Sequence, residues 1–368
     1  MEPDELPPDD LPPPRDDYQP GPAPGDPVHL PAGTTPPPAR VLNVTPEQYH
    51  KLPGLSPSLA TTLISTCLEK ARDKYEREVE IETVADVDDT TDDEPDEPDE
   101  PDAKVAAEKQ KRLDRGAALH ALILGKGEER IAVIPDVLLS GKNRSISSDK
   151  AKAWRDAAVT AGKLVIKEHA MRAFVRVIAA IRERLAIAGH MLDGVSELAI
   201  AWWEPTSLGP ILCRTMIDHV RLFEPNCAPM GFEDVVAGLA RPSMATVYEV
   251  KFPDDAHPDR SERTAESLGY HIAAAARIRA LNALIPSLAA RIEYRYLMCE
   301  PRRPYSFWAP TGTGSYLELG RRRWGSAVAM WARGLKTGDW TGYHDDIMRQ
   351  QIDLLPWVKR NEGFTDDE

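Results

Sequence analysis

The chain has 368 residues, 42% of them apolar, enough to bury a core in one large domain or two smaller ones. No run approaches the roughly 18 consecutive apolar residues of a membrane span, and no charged-then-apolar leader opens the sequence, which argues against membrane and secreted classes. The net charge of −14 conceals a division: residues 1–104 sum to −18 and residues 105–360 to +8, an acidic front on a mildly basic body that permits a nucleic-acid partner.

In chain order, residues 1–42 read as a disordered tail, because 14 of the 33 prolines fall in the first 40 positions among acidic residues. Residues 43–84 form a small helical unit, with Thr-Pro-Glu-Gln and Ser-Pro-Ser starts that predict two short helices. Residues 85–104 are an acidic low-complexity insertion ending in EPDEPDEPD, where proline at every third position blocks a helix. Residues 105–360 form the body, and residues 361–368 an acidic tail.

The body opens with a helix over 112–125 that sets Leu113, Ala117, His120 and Leu124 along an inward stripe, with Gly116 and Ala117 admitting another chain element. Helices follow over 147–161 and 164–188. The period then changes to two over 197–223, giving two strands joined by a Pro205–Pro210 turn, and again over 245–252. A helix over 265–284, a strand over 291–299 and a helix over 316–335 complete an α/β pattern, a small mixed sheet flanked by helices.

On the strand Tyr248-Glu249-Val250-Lys251-Phe252, residues two apart share a face, so Glu249 and Lys251 project together away from an apolar side. An isolated pair of this kind is ordinarily a surface ion pair. Asp218, set among apolar neighbours on the preceding strand, changes the reading, because a buried carboxylate requires a partner or a metal. Two adjacent carboxylates repel, and a divalent cation resolves the conflict, with lysine beside it to orient the attacking water. This is the PD-(D/E)XK pattern of metal-dependent nucleases. His120 reads as a core histidine or a third ligand. Glu197 is an accessory acid or a strand-edge residue. Tyr270 and His271 could touch phosphate or pack in their helix, and Arg214 could meet phosphate or a surface acid. Arg321 and Arg322 lie in a basic run that reads equally as DNA contact, subunit contact or solvated face.

Taken in order, TPEQYHKLPGLSPSLATTLI, RGAALHALILG, GPILCRTMIDHV, YEVKF, GYHIAAA and LELGRRRW…LKTGDWTGY resemble the nuclease domain of exonuclease VIII (RecE-type), a phage and prophage family of the PD-(D/E)XK superfamily. The resemblance covers most of 45–345; Ala273 stands where the family usually has glutamine, and Met216-Ile217 where it commonly has Arg-Pro. It implies a restriction-endonuclease-like core and a Mg2+-dependent exonuclease that digests one strand of linear duplex DNA 5′→3′. The product, a 3′ single strand, would serve a RecT-like annealing protein in phage recombination, with the enzyme a ring-shaped homo-oligomer in the bacterial host cytoplasm. By position it assigns His120, Asp218 and Glu249 to the metal, the Val250 carbonyl as a further ligand, and Lys251 to catalysis, with Mn2+ expected to substitute for Mg2+. The four cysteines (Cys67, Cys213, Cys227, Cys299) lack the C-terminal triplet of related iron–sulfur nucleases, so no cluster is expected. An endonuclease on the same fold, or a catalytically silent DNA-binding or annealase-recruiting scaffold, are the rival expectations.

Overall fold

The computed structural model describes residues 27–79, 113–141, 144–225, 227–288 and 291–343. The expected insertion at 85–104 and the tail at 361–368 lie outside the described residues, as does the start of the N-terminal tail.

The frame is a seven-stranded mixed sheet built from β1 (Arg40–Leu42), β4 (Val195–Glu204), β5 (Ile211–Phe223), β6 (Pro229–Met230), β7 (Met244–Lys251), β8 (Ile292–Cys299) and β9 (Phe307–Trp308). The order is β1-β4-β5-β7-β8-β9, with β6 pairing β5 off this path. Every pairing is antiparallel except β7–β8, whose parallel register runs from Ala245↔Ile292 to Lys251↔Met298. A parallel pair needs a crossover, supplied here by α8 (Pro258–Ser267) and α9 (Tyr270–Leu284). The expected hairpin of β4 and β5 and the expected strands β7 and β8 are all present.

Helices cover both faces. On one, α2 (Pro57–Ser65), α3 (Leu68–Val79), α9 and α10 (Gly314–Thr337) bury Leu59, Leu63, Leu281 and Trp331 against Ile200, Ile217 and Val247. On the other, α4 (113–124) and α6 (Glu168–Ile187) bury Leu119, Ile123, Ile181 and Leu185 against Tyr248, Val250 and Leu297. Full burial of each such leucine or isoleucine is worth about 2 kcal/mol, so these contacts fix where α4 and α9 stand over the sheet. The crossing of α9 and α10 depends on Gly320, where a Cβ would collide with the His271 carbonyl.

Four expectations are corrected. The unit at 43–84 holds three helices, α1 (Pro46–His50), α2 and α3, because the chain breaks at Thr66. The expected helix at 164–188 begins as strand β3 (Leu164–Lys167), whose Leu-Val-Ile run pairs in parallel with β2 (Ile131–Ile134) before α6 starts. The expected helix at 265–284 is two helices, divided where Gly269 takes a left-handed φ of 67°. Residues assigned to the N-terminal tail join the sheet: β1 pairs with β4, and His29 bridges Ile211.

The stripe on α4 is also rotated from expectation. Of the expected stripe Leu113 is 58% exposed and Ala117 is exposed, while Leu124 is buried as expected and is joined by Leu119, Leu122 and Ile123 on the buried face. A Cβ at Gly116 would meet no atom within 4 Å, so nothing packs closely there. His120 consequently sits at the margin of the buried face, its side chain 28% exposed.

Candidate active site

The site begins where two strands part. β5 and β7 pair from Phe223↔Met244 to His219↔Tyr248, and the next residues, Asp218 and Glu249, are no longer paired. Val250 N–H, deprived of a β5 carbonyl, donates instead to Asp218 Oδ2 at 2.9 Å. The carboxylate thus fills the opening of a fork in the plane of the sheet. β7 stays anchored on its other side, since its pairing with β8 continues to Lys251.

Both faces reach into this opening. From α4, His120 Nε2 lies 3.2 Å from Asp218 Oδ2. Strand alternation places Tyr248 and Val250 in the α4-side core, so Glu249 and Lys251 lean toward α9. There Lys251 Nζ is 2.6 Å from Glu249 Oε1, and Tyr294 Oη donates to Glu249 Oε2 at 2.8 Å. Arg277, from α9, binds Glu249 Oε2 directly and places a second guanidinium nitrogen 4.0 Å from Asp218 Oδ1. Its remaining donors meet Met216 O at 3.0 Å and Tyr294 Oη at 3.1 Å. Tyr270, first residue of α9, lies under Lys251, whose Nζ is 5.5 Å from the ring centroid, and stacks on Tyr296.

Glu197 completes the group from β4. Its flanks keep register, Ser196↔His219 and Leu198↔Ile217, while Glu197 itself, opposite Asp218, has a φ of 51°. A left-handed residue inside a strand costs about 1–3 kcal/mol and is found where function or packing overrides strain. Its buried carboxylate pairs with Arg130 at 2.8 Å and lies within electrostatic reach of His120.

Burial alone would raise the Asp218 carboxyl, but His120, Lys251 and Arg277 together hold it well below the usual carboxylate range. Burial works to lower His120, and the Asp218 charge and hydrogen bond outweigh it, so the imidazole is raised. Lys251 is likewise raised, the pull of burial being exceeded by Glu249 and Asp218. The lysine is therefore an ammonium at neutral pH.

Other predicted residues go elsewhere. Arg214 is 1% exposed and donates to the carbonyls of Tyr49 and His50 at 2.9 and 3.2 Å, with Glu78 at 3.4 Å, so it anchors α1 and α3 and is closed to phosphate. His271 is fully buried; its Nε2 accepts from Arg323 at 2.9 Å, and it lines a separate cleft of about 480 Å³ with Tyr296, Trp308 and Tyr316. Arg321 and Arg322 stand exposed on α10, each paired with Glu318, at 2.6 and 3.0 Å.

Arg277, Tyr294 and Arg130 were not foreseen. A signal for Arg277 did exist: Tyr270, Ala274, Arg277 and Leu281 share one helical stripe, and a lone arginine on an otherwise apolar stripe requires a buried acid.

Carboxylate oxygens with an imidazole are a donor set suited to a hard divalent ion. Among the described residues no three His, Cys, Asp or Glu side chains stand grouped closely enough to hold one. His120 and Asp218 are adjacent, whereas Glu249 is turned to Lys251, Arg277 and Tyr294. The donor chemistry fits the ion, with the protein's own cations currently pairing the acids. Among the described residues no helix is long and apolar enough to cross a membrane.

No protein-family model and no curated protein matches the chain. Among solved structures, the chain is similar to a protein from Eubacterium rectale described as "Putative exonuclease", with a TM-score of 0.41 and 10% identity, over 85% of this chain and 94% of that one.

Proposed function

We propose that the chain is a metal-dependent nuclease of the PD-(D/E)XK type, acting as a 5′→3′ exonuclease on linear duplex DNA in the manner of exonuclease VIII. The observation that carries this reading is the fork: Asp218 caps Val250 N–H where β5 and β7 separate, with His120 on one side and Glu249–Lys251 on the other. His120, Asp218 and Glu249 would hold the ion, with the Val250 carbonyl as a further ligand. A bound Mg2+, or Mn2+ in its place, would lower the pKa of water and neutralise charge developing on the phosphate.

The chain's own groups supply the rest. Lys251, held charged by Glu249 and Asp218, is suited to donate toward the attacked phosphate and to orient water, not to act as a base. Tyr270 confines that ammonium by its ring face. The strained backbone at Glu197 sets a third acid on β4 opposite Asp218, compensated by Arg130. In this reading the product is a 3′ single strand passed to an annealing protein, and the enzyme assembles as a ring in the host cytoplasm.

Linear and covalently closed circular duplexes, incubated with the full chain and Mg2+, test the proposal. Degradation confined to the linear form is the expected result. Nicking of the closed circle would favour the endonuclease reading, and no cleavage of either form would favour the silent scaffold.

A further inference from the structure

We propose that Arg277 is a built-in counter-cation of the acid cluster that makes uptake of a divalent ion depend on nucleic-acid phosphate; this rests on the nuclease reading above. Two carboxylates meet at the fork, Asp218 and Glu249, and two fixed cations face them, Arg277 and Lys251, while Glu197 on β4 is matched by its own partner, Arg130. The set is balanced before any ion arrives. Arginine does not deprotonate in a protein, so Arg277 cannot relax this balance by losing a proton.

Its geometry makes it a permanent part of the site. The guanidinium is held by Met216 O, Tyr294 Oη and Glu249, and its side chain is 13% exposed. It occupies Glu249 Oε2, one of the two oxygens this carboxylate could offer an ion, and its charge stands 4.0 Å from Asp218. A divalent ion entering alone would bring two further positive charges into a confined, already neutral cluster. Coulomb repulsion at such distances is several times stronger than in bulk water. DNA removes the obstacle, because each backbone phosphate contributes one negative charge at the mouth of the fork. Ion and DNA should therefore strengthen each other's binding, and linkage requires the effect to be reciprocal. Arg277 is a positioning residue in this scheme; it touches Glu249, not the substrate.

The test reads metal binding, not turnover. Mn2+ affinity of the full chain is measured by the electron-spin-resonance signal of the free ion, with and without a short duplex whose ends carry cleavage-resistant phosphorothioates, after subtracting Mn2+ held by duplex alone. The wild type should bind Mn2+ about tenfold or more tightly with the duplex present, within the usual range of coupling between sites. Arg277→Met should tighten binding without duplex and reduce the duplex effect to about threefold or less, while Arg277→Lys, which keeps the charge, should preserve the wild-type ratio. If Arg277→Met fails to fold, the wild-type ratio and the lysine variant decide the matter. Equal wild-type affinity in both conditions would overturn the inference while leaving the nuclease reading intact, as would an Arg277→Met ratio unchanged from wild type. Absence of Mn2+ binding in every condition would overturn both.

Discussion

Two glutamates on the same sheet are buried almost equally, Glu204 at 5% and Glu249 at 3% exposure, and both are fully partnered. Glu204, at the end of β4, accepts from the indole N–H groups of Trp202 and Trp324 at 3.0 and 3.1 Å and forms a two-pronged pair with Arg279. Burial would raise its pKa, but Arg279 and the indoles bring it below the ordinary value. Glu249 has Lys251, Arg277 and Tyr294. The difference lies in what stands next to each. Glu204 is a lone acid closing a β-strand against α10, whereas Glu249 flanks a strand fork that brings in a second carboxylate, a mostly buried imidazole and a partly exposed ammonium. Burial of an acid marks a debt of desolvation; convergence of several on one opening marks chemistry.

The comparison breaks most sharply by substitution at the fork. Asp218→Asn and Lys251→Ala should each lower Mg2+-dependent degradation of linear duplex by about 10³-fold or more, with far-ultraviolet circular dichroism unchanged. Glu204→Leu should do the converse. It leaves two indole N–H groups without an acceptor and should cost about 2–4 kcal/mol in urea unfolding, while the rate per folded molecule stays near wild type.

Two histidines near the fork respond to pH in opposite senses. His219, beside Asp218 in the chain, is fully buried and pushed down to about 4 by that burial. Its Nε2 accepts Gly194 N–H at 3.1 Å, so Nδ1 carries the proton and donates to Ser196 Oγ at 2.9 Å. The unfolded chain, with an ordinary histidine near 6.5, binds more protons between those values, so stability should fall by about 3 kcal/mol as pH drops from roughly 6.5 to 4. His120 acts in the opposite sense. Its raised value gives stability that is complete below the ordinary histidine pKa and is lost as pH climbs past the raised one. Unfolding midpoints across pH 4–8 for His219→Gln and His120→Ala should flatten opposite ends of the profile. The smallest effect belongs to the exposed pairs of α10: Arg322→Ala should change stability by less than about 0.5 kcal/mol.

What the sequence made legible follows from locality. The β4–β5 hairpin and strand β7 are runs rich in apolar and β-branched residues, buried almost throughout and bounded by proline and glycine, and the placing of Glu249 with Lys251 on one face follows from strand alternation alone. The fork is not local. It depends on β5 leaving β7 after His219 while β7 stays on β8, which no spacing records. β1 was hidden inside a proline-rich segment because three residues suffice for an edge strand. The β2–β3 pair was hidden because a four-residue apolar run ahead of a helix reads as its first turn. Arg130 and the left-handed backbone of Glu197 belong to tertiary packing. Arg214, four residues before Asp218, reads from spacing as a ligand contact, whereas its donors go to the carbonyls of α1.

We propose that the fork hydrolyses DNA with a divalent ion. The most direct measurement is release of label from the 5′ end of a linear duplex by the purified full chain, with Mg2+ and with the ion chelated. Steady release in Mg2+ and none in chelator is the predicted result. Retention of the label in both Mg2+ and Mn2+, or equal release in chelator, would contradict it.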